Sequence, residues 1–213
     1  MKYSYLIALL GKEGFFDLAS VIQLTGERRD TIRVQLSRWC RSGKLIPLRR
    51  GMYAFPEVGT AVTINRAALA NSLYSPSYLS TYWALGFYGL IPEKVVVYTS
   101  VSSRVTRSFQ NPLGAFQYRA IRQNAFFGYE PREIGGGNVL IAKPEKALLD
   151  LWYLESGEWT EARMREMRFQ NTEVVNRSRL TAFAERYRSA RLVKTAGMWS
   201  DLADKDEQGN VEL

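Results

Sequence analysis

Residues 17–55, DLASVIQLTGERRDTIRVQLSRWCRSGKLIPLRRGMYAF, hold two helix patterns and a hairpin pattern in immediate succession. Asp17 stands where an N-cap belongs, because its carboxylate can accept the free N–H groups of the turn that follows. Leu18, Val21 and Ile22 then form an apolar stripe that closes at Leu24-Thr25-Gly26. A further helix from about 28 to 42 places Ile32, Leu36, Trp39 and Cys40 on one side at helical spacing. Gly43 follows at the C′ position, where a left-handed backbone costs a glycine least. Two short apolar segments, 44–48 and 52–55, flank Arg49-Arg50-Gly51 and read as a β-hairpin with a basic turn. Upstream, Tyr3, Leu6, Ile7 and Leu10 mark one face of a first short helix, stopped by Gly11 and Gly14. Three helices followed by a hairpin, with glycine in the helix-to-helix turn, predict a winged helix-turn-helix.

That geometry points to a chemistry. With Ile32 inward, Thr31, Val34, Ser37, Arg38 and Arg41 fall on the outer side of the third helix, flanked by Arg29 and Arg33, with Arg28 at its start. A helix lying in the major groove offers its N-terminal residues to base edges. Arginine there bonds guanine bidentately, and Val34 or the Thr31 methyl meets thymine methyls. Arg49 and Arg50 at the hairpin tip would hold phosphates or probe the minor groove. The plainer readings are a solvated basic face for the arginines, and packing on the rest of the chain for Val34. Trp39 and Cys40 read as core. Arg28 is a poor N-cap and no capping box is present.

Composition narrows the alternatives. The chain has 213 residues, a net charge of +8 and no histidine. Without histidine there is no Ser-His-Asp or Cys-His triad and no imidazole base, and a single cysteine cannot complete a zinc site. Cys40 being alone also rules out an intramolecular disulfide, which fits a reducing, cytoplasmic setting. No apolar run approaches the ~18 residues of a membrane helix. The apolar first ten residues run straight into Lys12 and Glu13 and read as a helix, not a signal peptide. Residues 1–55 carry ten Lys/Arg against four Asp/Glu, and 160–194 carry nine against four, whereas 195–213 carry one against five. Positive charge concentrated at the N-terminus is the electrostatic footprint of a polyanion binder.

The overall expectation is an α+β chain: a winged helix at 1–56 able to shift DNA by itself, a larger mixed domain at 60–200, and a flexible acidic tail at 201–213. Pro56, Gly59 and a drop in charge mark the boundary. In the larger domain, helices are expected at 63–75 and 78–88, with strands at 95–98, 116–121, 125–129 and 139–142 in a mainly antiparallel sheet. Gly135-Gly136-Gly137-Asn138 reads as a hairpin turn, since neither a helix nor a Lys-Ser/Thr pair follows to make a phosphate loop. The aromatic density of 78–88 resembles a base-stacking platform, but a stripe at helical spacing reads first as core. Arg104, Arg107, Arg119 and Arg122 are a possible basic sheet face. Lys143-Pro144-Glu145 starts a helix, with proline in the first turn and glutamate complementing the dipole. Further helices are expected at 160–168 and 177–190. An enzyme reading would gather Glu130, Glu133, Glu145, Lys146 and Asp150 around Mg²⁺ as a nuclease, but their spacing fits no such signature. A nucleotidyltransferase reading fails because Asp204-Lys205-Asp206 lies in a polar tail. No catalytic residue, metal or cofactor is expected, and a ligand-sensing regulator is the main alternative.

Three segments in order carry a resemblance: Arg49-Arg50-Gly51-Met52-Tyr53 after the helices, Tyr78-Leu79-Ser80 through Gly89-Leu90-Ile91-Pro92-Glu93, and Ala142 through Asp150, AKPEKALLD. Together they resemble the AbiEi-type antitoxins over roughly residues 1–190. The resemblance implies a bacterial repressor whose N-terminal domain binds inverted repeats in its own promoter. It further implies a C-terminal domain that opposes a nucleotidyltransferase-like toxin, in many members without stable contact. The acidic C-terminal extension and the aromatic segment 78–88 depart from that pattern.

Overall fold

In the computed structural model, which describes residues 1–57 and 63–209, the N-terminal pattern folds as its caps dictate. Helix α1 (Tyr3–Leu10) leads to strand β1 (Phe15–Asp17), helix α2 (Leu18–Thr25) and helix α3 (Arg29–Arg41). Strands β2 (Ile46–Arg49) and β3 (Met52–Ala54) follow. The Asp17 carboxylate accepts from the Ser20 N–H at 2.7 Å and starts α2. Gly43, at φ +70°, ends α3, and Gly51, at φ +77°, makes the β2–β3 turn. The Leu18 N–H donates to the Gly51 carbonyl at 2.8 Å, which ties that turn to the start of α2. The strands form an antiparallel sheet in the order β1-β3-β2. Leu6, Phe16, Val21, Ile32, Leu36, Leu45 and Phe55 fill a core of their own.

The rest of the described chain is also mixed α and β. Helix α4 (Arg66–Leu73) precedes β4 (Ser77–Leu79), α5 (Thr81–Phe87), β5 (Tyr98–Ser102), β6 (Arg107–Asn111) and β7 (Gly114–Ala120). Strands β8 (Tyr129–Ile134) and β9 (Gly137–Ala142) lead into α6 (Pro144–Leu154), α7 (Glu161–Glu166), α8 (Arg177–Arg186) and α9 (Ala190–Gly209). The six strands lie in the order β6-β7-β5-β4-β9-β8. Three pairings, β4 with β5, β6 with β7 and β8 with β9, are antiparallel and two, β4 with β9 and β5 with β7, are parallel, so the sheet is mixed. Among the described residues no helix is long and apolar enough to cross a membrane.

Several local expectations are corrected. The segment 78–88 is not one helix: Ser77–Leu79 is a central strand buried on both faces, and a short apolar run of that kind has no period to separate it from a buried helix. Val95–Val97 is not a strand, and Val96 is 73% exposed. Val95 instead lies against Gly86 of α5, where a Cβ would meet its Cγ2 at 3.3 Å. The expected strand 125–129 is not formed: a 3-10 turn, Gln123–Ala125, ends at its first residue and the strand starts only at Tyr129. The glycine turn joins β8 to β9 as expected. The acidic stretch 201–209 continues α9 and is not a free tail, because Leu192, Ala196, Trp199, Leu202 and Ala203 form one buried stripe. Residues 210–213, and the boundary positions 58–62, lie outside the described residues.

The hairpin belongs to both cores. Leu45 and Phe55 pack with the N-terminal helices, while Leu48, Met52 and Ala54 join the larger cluster of the second unit. Residues 1–56 by themselves would therefore expose Leu48 and Met52.

A polar knot lies inside the larger core. Lys146, Asp150, Ser80 and Tyr78 are fully buried. The Lys146 ammonium pairs with Asp150 and donates to the hydroxyls of Tyr78 (2.8 Å) and Tyr187 (2.6 Å). Asp150 in turn accepts from Tyr78 (3.0 Å), Ser80 (2.7 Å) and Tyr187 (2.6 Å). The partners come from distant parts of the chain, so the knot joins β4, α6 and the end of α8. Burial lowers the Lys146 pKa against the pull of Asp150. Burial, with Asp150 beside them, pushes both tyrosine hydroxyls well above the usual 10.

Replacing Asp150 with alanine strands a buried ammonium and should cost about 3–5 kcal/mol in denaturant unfolding, whereas Lys146→Met with Asp150→Leu should cost much less. The raised tyrosines stabilise the fold fully below pH 10 and lose that contribution as pH climbs beyond it. The lowered Lys146 acts oppositely but is one group against two. Stability should thus fall above pH 10, and less steeply in Tyr187→Phe, as followed by unfolding at stepped pH.

Candidate nucleic-acid interface

Helix α3 is held by one face. Ile32 and Leu36 are buried in the N-terminal core, and Trp39 and Cys40 pack half-buried beside them. That leaves the opposite side open: Thr31, Arg33, Val34, Arg38 and Arg41 are all turned outward, with Val34 at 52% exposure. Thr31, Val34 and Arg38 line one shallow surface on the helix, which Arg38 and Arg41 extend toward its C-terminus. Arg28 is exposed at the N-cap and its side chain makes no cap bond.

The structure brings four of the nine expected residues together elsewhere. Arg29 and Arg33 from α3 and Arg49 and Arg50 from the hairpin line a cleft of about 710 Å³, floored by Leu18, Ile22 and Tyr53. Among the described residues none of the four has a carboxylate within ion-pair distance. Asp17 borders the cleft, but its carboxylate is engaged in capping α2. Burial raises the Tyr53 hydroxyl pKa, with the Arg33 charge pulling the other way. Four guanidinium groups facing one open cleft repel each other, and water screens that repulsion only in part. An anion of matching spacing relieves it. Phosphate and carboxylate oxygens, which accept two parallel bonds from one guanidinium, both match that chemistry.

Arg49 differs from its neighbours in being half-buried. Its Nε is buried without a hydrogen-bond partner, and its Nη1 donates to the Arg50 carbonyl at 3.2 Å. Its charge also reaches the buried Tyr118 hydroxyl, whose pKa burial raises and Arg49 opposes. The hairpin pattern in the sequence gives Arg49 and Arg50 the same role, at the tip of the turn. Only the packing of the hairpin on the second unit separates them.

The other candidate clusters disperse. Glu130 pairs with Lys143 and Arg132, which holds its carboxyl below the usual range. Glu145 is buried and accepts from the Asn176 N–H at 2.8 Å, and Asp150 sits in the polar knot. Among the described residues no group of three or more Cys, Asp or Glu is placed to hold a metal ion. Arg104 and Arg107 both lie over the Tyr74 ring, whereas Arg119 donates to the Leu154 carbonyl at 2.8 Å, so the sheet arginines form no single face.

Because Arg29, Arg33 and Arg50 hold no ion pair among the described residues, replacing each with alanine should change unfolding stability by less than about 0.5 kcal/mol. Asp17→Ala, which removes a cap, should cost about 1 kcal/mol in the same assay.

Compared with known proteins, the chain matches no family model and no curated protein, so its function has to be argued from this geometry.

Proposed function

We propose that the chain is a DNA-binding transcriptional repressor whose first three helices and hairpin act as a winged helix-turn-helix. The observation that carries this reading is the convergence of Arg29, Arg33, Arg49 and Arg50 on one cleft beside an exposed helix face, with no ion pair to any of the four among the described residues. Helix α3 enters the major groove, with Thr31 and Val34 toward thymine methyls and Arg38 and Arg41 toward base edges or the far backbone. The hairpin, as the wing, lies over the adjacent strand, and the cleft between takes the phosphates that run from groove to wing. Phosphate contacts fix the register and the exposed α3 side chains select the sequence.

The resemblance to AbiEi-type antitoxins gives this repressor a setting: inverted repeats in its own promoter, and a nucleotidyltransferase-like toxin encoded beside it. Inverted repeats require two copies of the chain, one per half-site. The second unit would then carry the antitoxic role, without a catalytic residue, metal or cofactor.

The full chain should bind its promoter duplex with a salt dependence of about −0.9 in log–log slope per neutralised phosphate. Arg33→Ala with Arg50→Ala should weaken binding and reduce the slope by about 0.9 for each phosphate left without its arginine, read by fluorescence anisotropy across a salt series. Val34→Ala should instead relax base preference with the slope unchanged. Binding that is independent of salt, or equal for wild type and the double variant, contradicts the reading. Expression of the chain should also relieve growth arrest by the neighbouring toxin gene.

A further inference from the structure

Winged helices usually present the wing as a free arm; here the hairpin is gripped from behind. Leu48 and Met52 are 4% and 3% exposed and belong to the larger core, not to the core of the helices that the hairpin serves. Strand β2 runs beside β6, the outer strand of the six-stranded sheet, so the two sheets meet edge to edge. At that seam the Asn111 side chain makes two bonds in opposite directions. Its Nδ2 donates to the Leu48 carbonyl at 3.5 Å, and its Oδ1 accepts from the Leu113 N–H at 2.9 Å. The second bond fixes the amide in the β6–β7 turn, so the first reaches the wing from a rigid mount. One residue further along β2, Arg49 is half-buried, with its charge felt at Tyr118 of β7.

We propose that the second unit is part of the DNA-reading apparatus: the β6–β7 hairpin positions the wing, and Asn111 is the positioning residue that aims Arg49 and Arg50 at the phosphate backbone. This rests on the DNA-binding reading. Its physical content is preorganisation. The hairpin is ordered during folding, so DNA binding does not bear the entropy of ordering it. Any event that shifts the β6–β7 turn is thereby transmitted to the wing arginines through Leu48 and Asn111.

The test is a double-mutant cycle in the full chain, with promoter affinity, salt slope and melting temperature measured for each member. Wild type, Asn111→Ala, Arg49→Ala/Arg50→Ala and the triple variant are compared. Leu48→Val serves as a second, milder perturbation of the seam. Asn111→Ala should weaken binding about threefold to tenfold, the equivalent of one net hydrogen bond, with the melting temperature lowered by no more than about 2–4 °C. It should lower the salt slope, and it should have no further effect once Arg49 and Arg50 are gone. Leu48→Val should shift binding in the same direction and be equally silent in the arginine-free background. Unchanged affinity in both seam variants, or an equal loss with and without the arginines, overturns the inference while leaving DNA binding intact. A wild-type chain that binds no duplex removes the function itself, and that outcome is read before any variant is made.

Discussion

The arginine cleft depends on a hairpin that packs into two hydrophobic cores at once. Leu45 and Phe55 anchor its base among the three helices, and Leu48, Met52 and Ala54 seat its body in the core of the second unit. A two-stranded ribbon is marginal in water by itself. Packing from both directions is what lets so short a ribbon hold two adjacent arginines in a fixed place. The turn at Gly51 and its bond to Leu18 then set the distance from those arginines to the start of α2 and, through it, to α3.

This arrangement holds like charges together in the absence of a bound anion. Of the four anions in the N-terminal segment, Asp17 caps α2 and Glu27 pairs with the terminal ammonium, while Asp30 lies on the exposed surface of α3 with Arg33 and Arg38. Among the described residues the arginines of the cleft hold no ion pair. The second basic stretch, 160–194, is built differently. There Arg165 pairs with Glu161, Arg168 with Glu93, and Arg191 donates to backbone carbonyls. Two regions of similar net charge thus differ in what their arginines do, which composition alone cannot separate.

The N-terminal elements were legible because each carries its own local signal. Asp17 caps, Gly43 and Gly51 take positive φ, and Ile32 and Leu36 keep helical spacing. The outward set on α3 followed directly from that spacing. What was not legible depends on neighbours distant in sequence. Tyr78 and Leu79 could not be assigned to a strand without knowing that β5 and β9 lie on either side. Arg49 could not be told from Arg50 without the second unit behind it. Asp150 and Lys146 read as charges on a helix and proved to be a buried pair. Their i,i+4 spacing was visible, but the tyrosines that satisfy them come from residues 78 and 187. The stripe from Leu192 to Ala203 was visible in principle and was masked by the acidic run that begins at Asp201.

Hydrogen exchange on the full chain, with and without its promoter duplex, tests the central claim most directly. The account requires new protection in α3 and across the hairpin 46–54, together, in one complex. Protection confined to the second unit, or none in α3, would show that the arginine cleft is not where this protein meets DNA.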